Sequence, residues 1–237
     1  MGRVGRPPQD PVQRAHGILD AAAELVVRWG YDKTTIDDVA KRAGVAKGTI
    51  YLHWKTRDEL FAALLRRERV YLVEAIRASA PATMGELFGE FVGSALRRPL
   101  MRAALVRDSE VLGKLARMKQ RSTMRLDMGD AFDAYLDRLI EHGAVREAPR
   151  DHMTVITAIV HGFVFLPELV PEEAQLPDER IAELVADTVD RAMGTGRALP
   201  EQDAQAVAQA TLDLLDSMAE VAHRRFMASL ITKERAL

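Results

Sequence analysis

Cysteine is absent from this chain, which excludes disulfides and thiolate metal sites and suits a reducing compartment. Aromatic residues make up only 5%, and no stretch alternates apolar with polar residues in the manner of a strand. Those two shortages favour helix over sheet. No apolar run is long enough to span a bilayer: the most apolar one, MTVITAIVHGFVFL (153–166), has 14 residues and carries His161, against the ~20 a transmembrane helix needs. The N-terminal MGRVGRPPQDP has charges and prolines where a secretion signal would have an apolar centre. A nucleophile elbow, a phosphate-binding glycine loop and an HExxH motif are all missing, and the 6 histidines lack metal-ligand spacing. The paired carboxylates Asp37-Asp38 and Glu172-Glu173 fall at a helix start and in a loop, where solvation accounts for them. The expectation is a non-enzymatic, cytoplasmic, all-α protein with no cofactor, no metal and no membrane partner.

What is present is helical periodicity and an uneven charge. Residues 1–70 hold 13 Lys and Arg against 9 Asp and Glu, net +4, while the remainder holds 20 against 26, net −6. A basic end on an acidic body fits one end meeting a polyanion. Ile18, Leu19, Ala22, Leu25, Val26 and Trp29 follow the spacing of a helix with one buried face, closed by Gly30. Thr35 and Asp38 form a capping box for a short helix, 36–43, which Gly44 ends. A second short helix runs from Ala46-Lys47 to near Trp54, and Thr56 with Glu59 caps a long helix to about Ala78. Further helices are expected over 83–97, 99–118, 119–142, 152–166, 178–193 and 202–230, nine or ten in all.

Two short helices joined by a tight turn at Gly44 have helix-turn-helix spacing. A small residue, Ala40, suits the crossing of the pair, and Gly44 suits a left-handed turn. Val39 and Ile50 would share a core with Leu25 and Val26, and Trp54 reads as core. What is left over, Lys47, Gly48, Thr49, Tyr51 and His53, lies on the part of the second helix that enters the major groove in this motif. Lys47 suits guanine O6/N7 or a phosphate, and Thr49 a thymine methyl or a phosphate. Gly48 lets the backbone approach the groove wall, while Tyr51 and His53 suit phosphate oxygens. Lys55 adds charge beside a helix N-terminus, and Thr34 or Thr35 offers the same at the other short helix.

The block GILDAAAELVVRWGYDKTTIDDVAKRAGVAKGTIYLHWKTRDELFAALL (17–65) resembles the N-terminal domain of the TetR family of bacterial transcriptional regulators. The residues carrying the likeness are Gly30-Tyr31, Thr34-Thr35, Ala40, Gly44-Val45, Lys47-Gly48-Thr49, Tyr51, Trp54 and Lys55 through Leu60-Phe61. Two positions depart from the family pattern. Ala46 stands where Ser is frequent, leaving the recognition helix without a side-chain cap, and Leu52 stands where an aromatic or His is frequent. The resemblance implies a homodimer on a palindromic double-stranded DNA operator, repression, and release by a small-molecule effector. It also implies DNA contacts at Thr34, Thr35, Lys47, Gly48, Thr49, Tyr51, His53 and Lys55.

Three regions follow: a flexible basic arm (1–11) in which Arg3 and Arg6 are either solvated or in reach of a minor groove, a helix-turn-helix domain (12–60), and a helical ligand-binding and dimerisation domain (61–237). A ligand cavity is expected among Phe88, Phe91, Met101, Met118, Met124, Met128, Phe132, Phe163 and Phe165, with His161 as its polar anchor. A dimer face is expected on the last helix (Val207, Thr211, Leu214, Leu215, Met218, Val221, Ala222, Phe226) and on helix 152–166. The alternative function is a DNA-binding architectural or division-associated protein of the same fold with no inducer, and a further one is an all-α lipid carrier.

Overall fold

A computed structural model describes residues 10–106, 108–113, 124–147, 151–166 and 169–230, with backbone alone at Ser109 and over 124–128. Most of the basic arm, with Arg3 and Arg6, lies outside the described residues, as does Met118. Eleven α-helices are found among the described residues: α1 Pro11–Trp29, α2 Ile36–Ala43, α3 Lys47–His53, α4 Arg57–Ala78, α5 Met84–Leu96, α6 Pro99–Leu105, α7 Ser109–Leu112, α8 Met124–Glu141, α9 His152–Phe165, α10 Asp178–Met193 and α11 Glu201–Leu230. Extended pairing among these residues amounts to an isolated bridge between Val145 and Gly194. The all-α expectation holds.

Local chemistry sets the starts of the short helices. Thr35 accepts from the Asp38 amide while the Asp38 carboxylate accepts from the Thr35 amide, closing the expected capping box on α2. The Thr35 hydroxyl, and after it the Thr35 amide, donate to the Asp38 carboxylate and hold its carboxyl below the usual carboxylate range. Thr56 caps α4 through the Glu59 amide. Glu59 reaches back to the amide of Lys55 rather than that of Thr56 itself. α3 begins at Ala46 with no side-chain cap, as expected.

One expected helix is two. α6 stops at Leu105, and Asp108 starts α7 by accepting from the amides of Glu110 and Val111. Its carboxylate supplies a new helix start, so the run expected over 99–118 is not continuous.

The body is built around α4. α11 lies antiparallel along it, since Asp216 pairs with Arg77 near the end of α4 while Ser229 meets Trp54, just before its start. α5 packs closely on α10 because Gly85, Gly89 and Gly93 fall on one face, four apart, against Ala182 and Ala186. A Cβ at Gly89 would sit 2.9 Å from the Ala186 methyl and 3.0 Å from the Ala182 carbonyl. Asp190 sits at the end of this seam and accepts from the Gly85 amide at 2.9 Å. Burial pushes its carboxyl up.

Two expectations about burial change. Trp29 is 41% exposed, because Tyr31 rather than Trp29 turns into the core at the end of α1. Most of the apolar face of α11 is already used within the chain. Val207, Thr211, Leu214, Leu215, Ala222 and Phe226 are buried, with Thr211 bonded to the Tyr135 hydroxyl. That stripe is therefore core, not a free dimer face. α9 is different: Met153 and Val155 on it, and Leu166 just past its end, remain 37–44% exposed.

Candidate nucleic-acid interface and internal cavity

The α2–α3 turn has the geometry its sequence asks for. Gly44 adopts φ 66°, ψ 33°, where a Cβ is disfavoured. Its amide and that of Val45 close on the carbonyls of Lys41 and Ala40, the double bond that ends a helix at such a glycine. Val39, Ala40 and Ile50 are buried beneath it with Leu25 and Val26 of α1. Trp54 is buried too, as expected, and its indole N–H donates to the Ser229 carbonyl at 2.9 Å. The end of α3 is thereby tied to the end of α11.

With the core accounted for, the side chains left outside are largely the expected ones. Lys47, Gly48, Tyr51 and Lys55 are exposed, and Thr49 is half-buried at the same edge. Tyr51 shows 43% of its surface. Open space surrounds Gly48. Thr35 is exposed at the start of α2, its hydroxyl engaged by Asp38. His53 is partly covered beside the Trp54 ring. Burial and then the charge of Arg14 hold it below the ordinary histidine range, so it stands neutral near pH 7. Thr34 differs from the rest: it is fully buried and its hydroxyl donates to the Gly30 carbonyl at 2.8 Å, so it shapes the α1–α2 turn from inside.

The sequence reading missed one neighbour. Asp37, on the first turn of α2, accepts from the Lys47 ammonium at 2.8 Å, and that bond raises the lysine pKa. Lys47 thus rests in an ion pair across the turn while still half exposed. The signal was their common placement at facing helix starts, visible only once the crossing is known.

Behind this surface the head is locked to the body. Arg67, 2% exposed, donates to the His16 carbonyl and pairs with Asp20 at 2.7 Å, joining α1 to α4. Arg57 lies over the Tyr31 ring, 4.0 Å from its centre, and bonds the Tyr31 carbonyl, while Tyr31 donates its hydroxyl to Asp58. Burial, then the Asp58 bond, pushes the Tyr31 hydroxyl up to about 12.

The body holds a half-open cavity of about 480 Å³ between α4, α5, α8, α9 and α11. Phe88, Phe91 and Phe132 line it as expected, with Phe88 and Phe132 edge-to-face at 6.3 Å. Ile76, Leu87, Met153, Leu214, Leu215 and Met218 complete the apolar wall, and Gly129 and Asp133 stand on α8. Met101 is buried elsewhere and does not reach the cavity. His161 and Phe165 do not line it either. They stack on each other along α9, and a His161 ring nitrogen meets the Thr157 carbonyl at 3.0 Å. The side chains of Met124 and Met128 lie outside the described residues. Leu214, Leu215 and Met218 were expected at a dimer face, because a single apolar stripe reads alike whether it covers a cavity or meets a partner.

Comparison with known proteins fits this arrangement. Residues 18–64 match the model of the family described as bacterial regulatory proteins, tetR family. The fatty acid metabolism regulator protein of Bacillus subtilis is 37% identical over 57 residues, 24% of this chain and 29% of that protein. The chain spans well under half the length of this and two other such relatives, at 29%, 39% and 36%. Among solved structures, the fatty acid degradation regulator FadR of Bacillus halodurans superposes with a TM-score of 0.56 at 18% identity, covering 77% of this chain and 99% of that one. A complex of SmeT with triclosan gives 0.51 at 21% identity, covering 80% and 100%; SmeT represses a multidrug efflux pump of Stenotrophomonas maltophilia. At those identities the structural likeness speaks for the fold.

Proposed function

We propose that this chain, whose residues 18–64 match the tetR family of bacterial regulatory proteins, is a sequence-specific DNA-binding regulator, a homodimeric repressor released from a palindromic operator by a small, largely apolar ligand held in the body cavity. The observation that carries this reading is the α2–α3 pair. A left-handed glycine turn sets a buried Ile50 and Trp54 on one side and an exposed Lys47, Gly48 and Tyr51, with a half-buried Thr49, on the other. Lys47, Gly48 and Thr49 are the base-reading edge, while Thr35, Tyr51, His53 and Lys55 hold phosphates. Thr34 supports that edge from within. The SmeT–triclosan complex is a precedent in this fold for a small apolar ligand. The exposed apolar residues of α9 support self-association on that helix.

Selection of binding sites from random DNA at two salt concentrations tests the reading. A palindromic consensus whose affinity falls steeply with salt is expected, because phosphate contacts release counterions. Tyr51→Phe and Lys55→Ala are expected to weaken all DNA alike, whereas Lys47→Ala and Thr49→Ala shift the consensus. If all four variants keep the parent affinity and consensus, the assignment of α3 fails. A monomer by light scattering at micromolar concentration would remove the dimer.

A further inference from the structure

The turn between α1 and α2 is gripped from outside the head. Gly30 and Tyr31 each carry an amide and a carbonyl, and every one of these groups is bonded. The Gly30 amide closes α1 on the Val26 carbonyl, and the Gly30 carbonyl accepts from the Thr34 hydroxyl. The Tyr31 carbonyl accepts from the Arg57 guanidinium and, at 3.2 Å, from the Thr34 amide. The Tyr31 amide reaches further: it donates to the Val111 carbonyl of α7 at 2.8 Å. The approach is close along the whole of α7. A Cβ at Gly30 would collide with the Glu110 carbonyl oxygen, and one at Gly113 would sit 2.8 Å from the Tyr31 ring and 2.9 Å from the Asp32 carboxylate. Leu112, between them, is buried.

α7 has only 4 residues, too few to hold a helical turn unaided. Asp108 holds it. The Asp108 amide donates to the Ala103 carbonyl of α6 at 2.8 Å, and its carboxylate accepts from the amides of Glu110 and Val111 at 2.8 and 3.1 Å. Val111 is thus fixed at its amide by Asp108 and at its carbonyl by Tyr31. A line of bonds runs from α6 through Asp108 and Val111 to the turn that starts α2.

We infer that Asp108 is a positioning residue for DNA recognition: it holds α7, and α7 fixes the start of α2 and with it the angle of α3. This rests on the regulator reading and extends the DNA-reading machinery into the body, beyond Lys55. Together with the bond from Trp54 to Ser229, it ties the α2–α3 pair to the body at both ends, on entry by α7 and on exit by α11. A pair held at one end alone can pivot. Pivoting harms base contacts, which need fixed geometry, more than phosphate contacts, which carry no sequence information.

Three variants of the full chain test this. Asp108→Ala removes the cap of α7. Asp108→Asn keeps a side-chain oxygen for the same two amides, and Asn caps as well as Asp. Gly113→Ala sets a methyl against Tyr31 and Asp32. Two quantities are read: hydrogen exchange at the Tyr31 amide, and affinity for the operator selected from random DNA relative to unselected DNA. Asp108→Ala is expected to speed exchange at Tyr31 about fivefold, the effect of losing one cap. Operator affinity should fall by about the same factor while unselected DNA binds as before. Gly113→Ala should act in the same direction, and Asp108→Asn should restore both quantities. Unchanged exchange at Tyr31 in Asp108→Ala and Gly113→Ala overturns the grip of α7 on the head, whatever the protein binds. Faster exchange with unchanged operator affinity overturns the positioning role and leaves the grip. An equal loss on operator and unselected DNA overturns it too, since that is a loss of folded head. A parent chain that selects no operator removes the regulator reading and the positioning role together, while exchange at Tyr31 still decides the grip.

Discussion

Two helix pairs in this molecule bring their axes close in opposite ways. α2 and α3 are short, 8 and 7 residues, and meet at a sharp turn whose backbone bonds are all local. α5 and α10 are 13 and 16 residues, are far apart in sequence, and meet along a seam of glycine and alanine. In the first pair the small residue serves a backbone angle, and little surface is buried, so side chains on the outer edge stay free for chemistry. In the second the small residues serve proximity, and Gly85, Gly89 and Gly93 leave nothing outside. Exposed chemistry in this protein sits where packing is economical, and the deep seam keeps the body rigid enough to hold a cavity.

Breaking the seam has the largest expected effect. Gly89→Leu would drive a branched side chain into Ala182 and Ala186, with a cost of about 3 kcal/mol from overpacking. Urea unfolding would read that loss, while DNA affinity at low temperature stays at the parent value. If Gly89→Leu is as stable as the parent, the close approach of α5 and α10 is not what the fold rests on. Gly44→Ala attacks the other pair through its left-handed angle and is expected to cost about 1 kcal/mol. Here DNA affinity should fall together with stability, since the turn sets the angle of α3. The smallest effect sharpens the contrast. Asp37→Asn frees Lys47 and removes a negative charge from the DNA-facing edge, so binding in low salt should tighten by about two- to threefold and the gain should fade as salt rises. Band-shift titrations at two ionic strengths measure it, and a loss of affinity would mean that Asp37 itself contacts the DNA.

The same contrast explains what the sequence made legible. The Thr35–Asp38 box and the Gly44 turn could be read in advance because each depends on residues within a few positions of one another, and the burial of Ile50 and Trp54 was read from their apolar character although their partners are distant in the chain. The break after Leu105 had an equally local signal, the carboxylate of Asp108 ahead of Ser109-Glu110-Val111, and it was masked by continuous apolar periodicity. Thr34 could not be placed, since its inward turn depends on where the Gly30 carbonyl points. The role of α11 was out of reach for a different reason: its apolar stripe has one pattern whether it meets α4 or another subunit, and only the tertiary pairing decides. The glycine seam was written plainly, every fourth residue from 85 to 93, and it gained its meaning only when Ala182 and Ala186 were found opposite.

The bond from Trp54 to Ser229 bears on how such a protein could be rebuilt. Residues 10–60 look like a module that could be cut out and fitted to another body, with α4 as a simple stem. The indole of Trp54, however, finds its acceptor 175 positions away, on the last turn of the last helix. A transplanted head would carry a buried N–H with no carbonyl to receive it unless the host's final helix ended at the same height beside α4. The interchangeable unit is therefore the head together with the tip of α11, and a graft of the head alone would leave behind the latch that seats it.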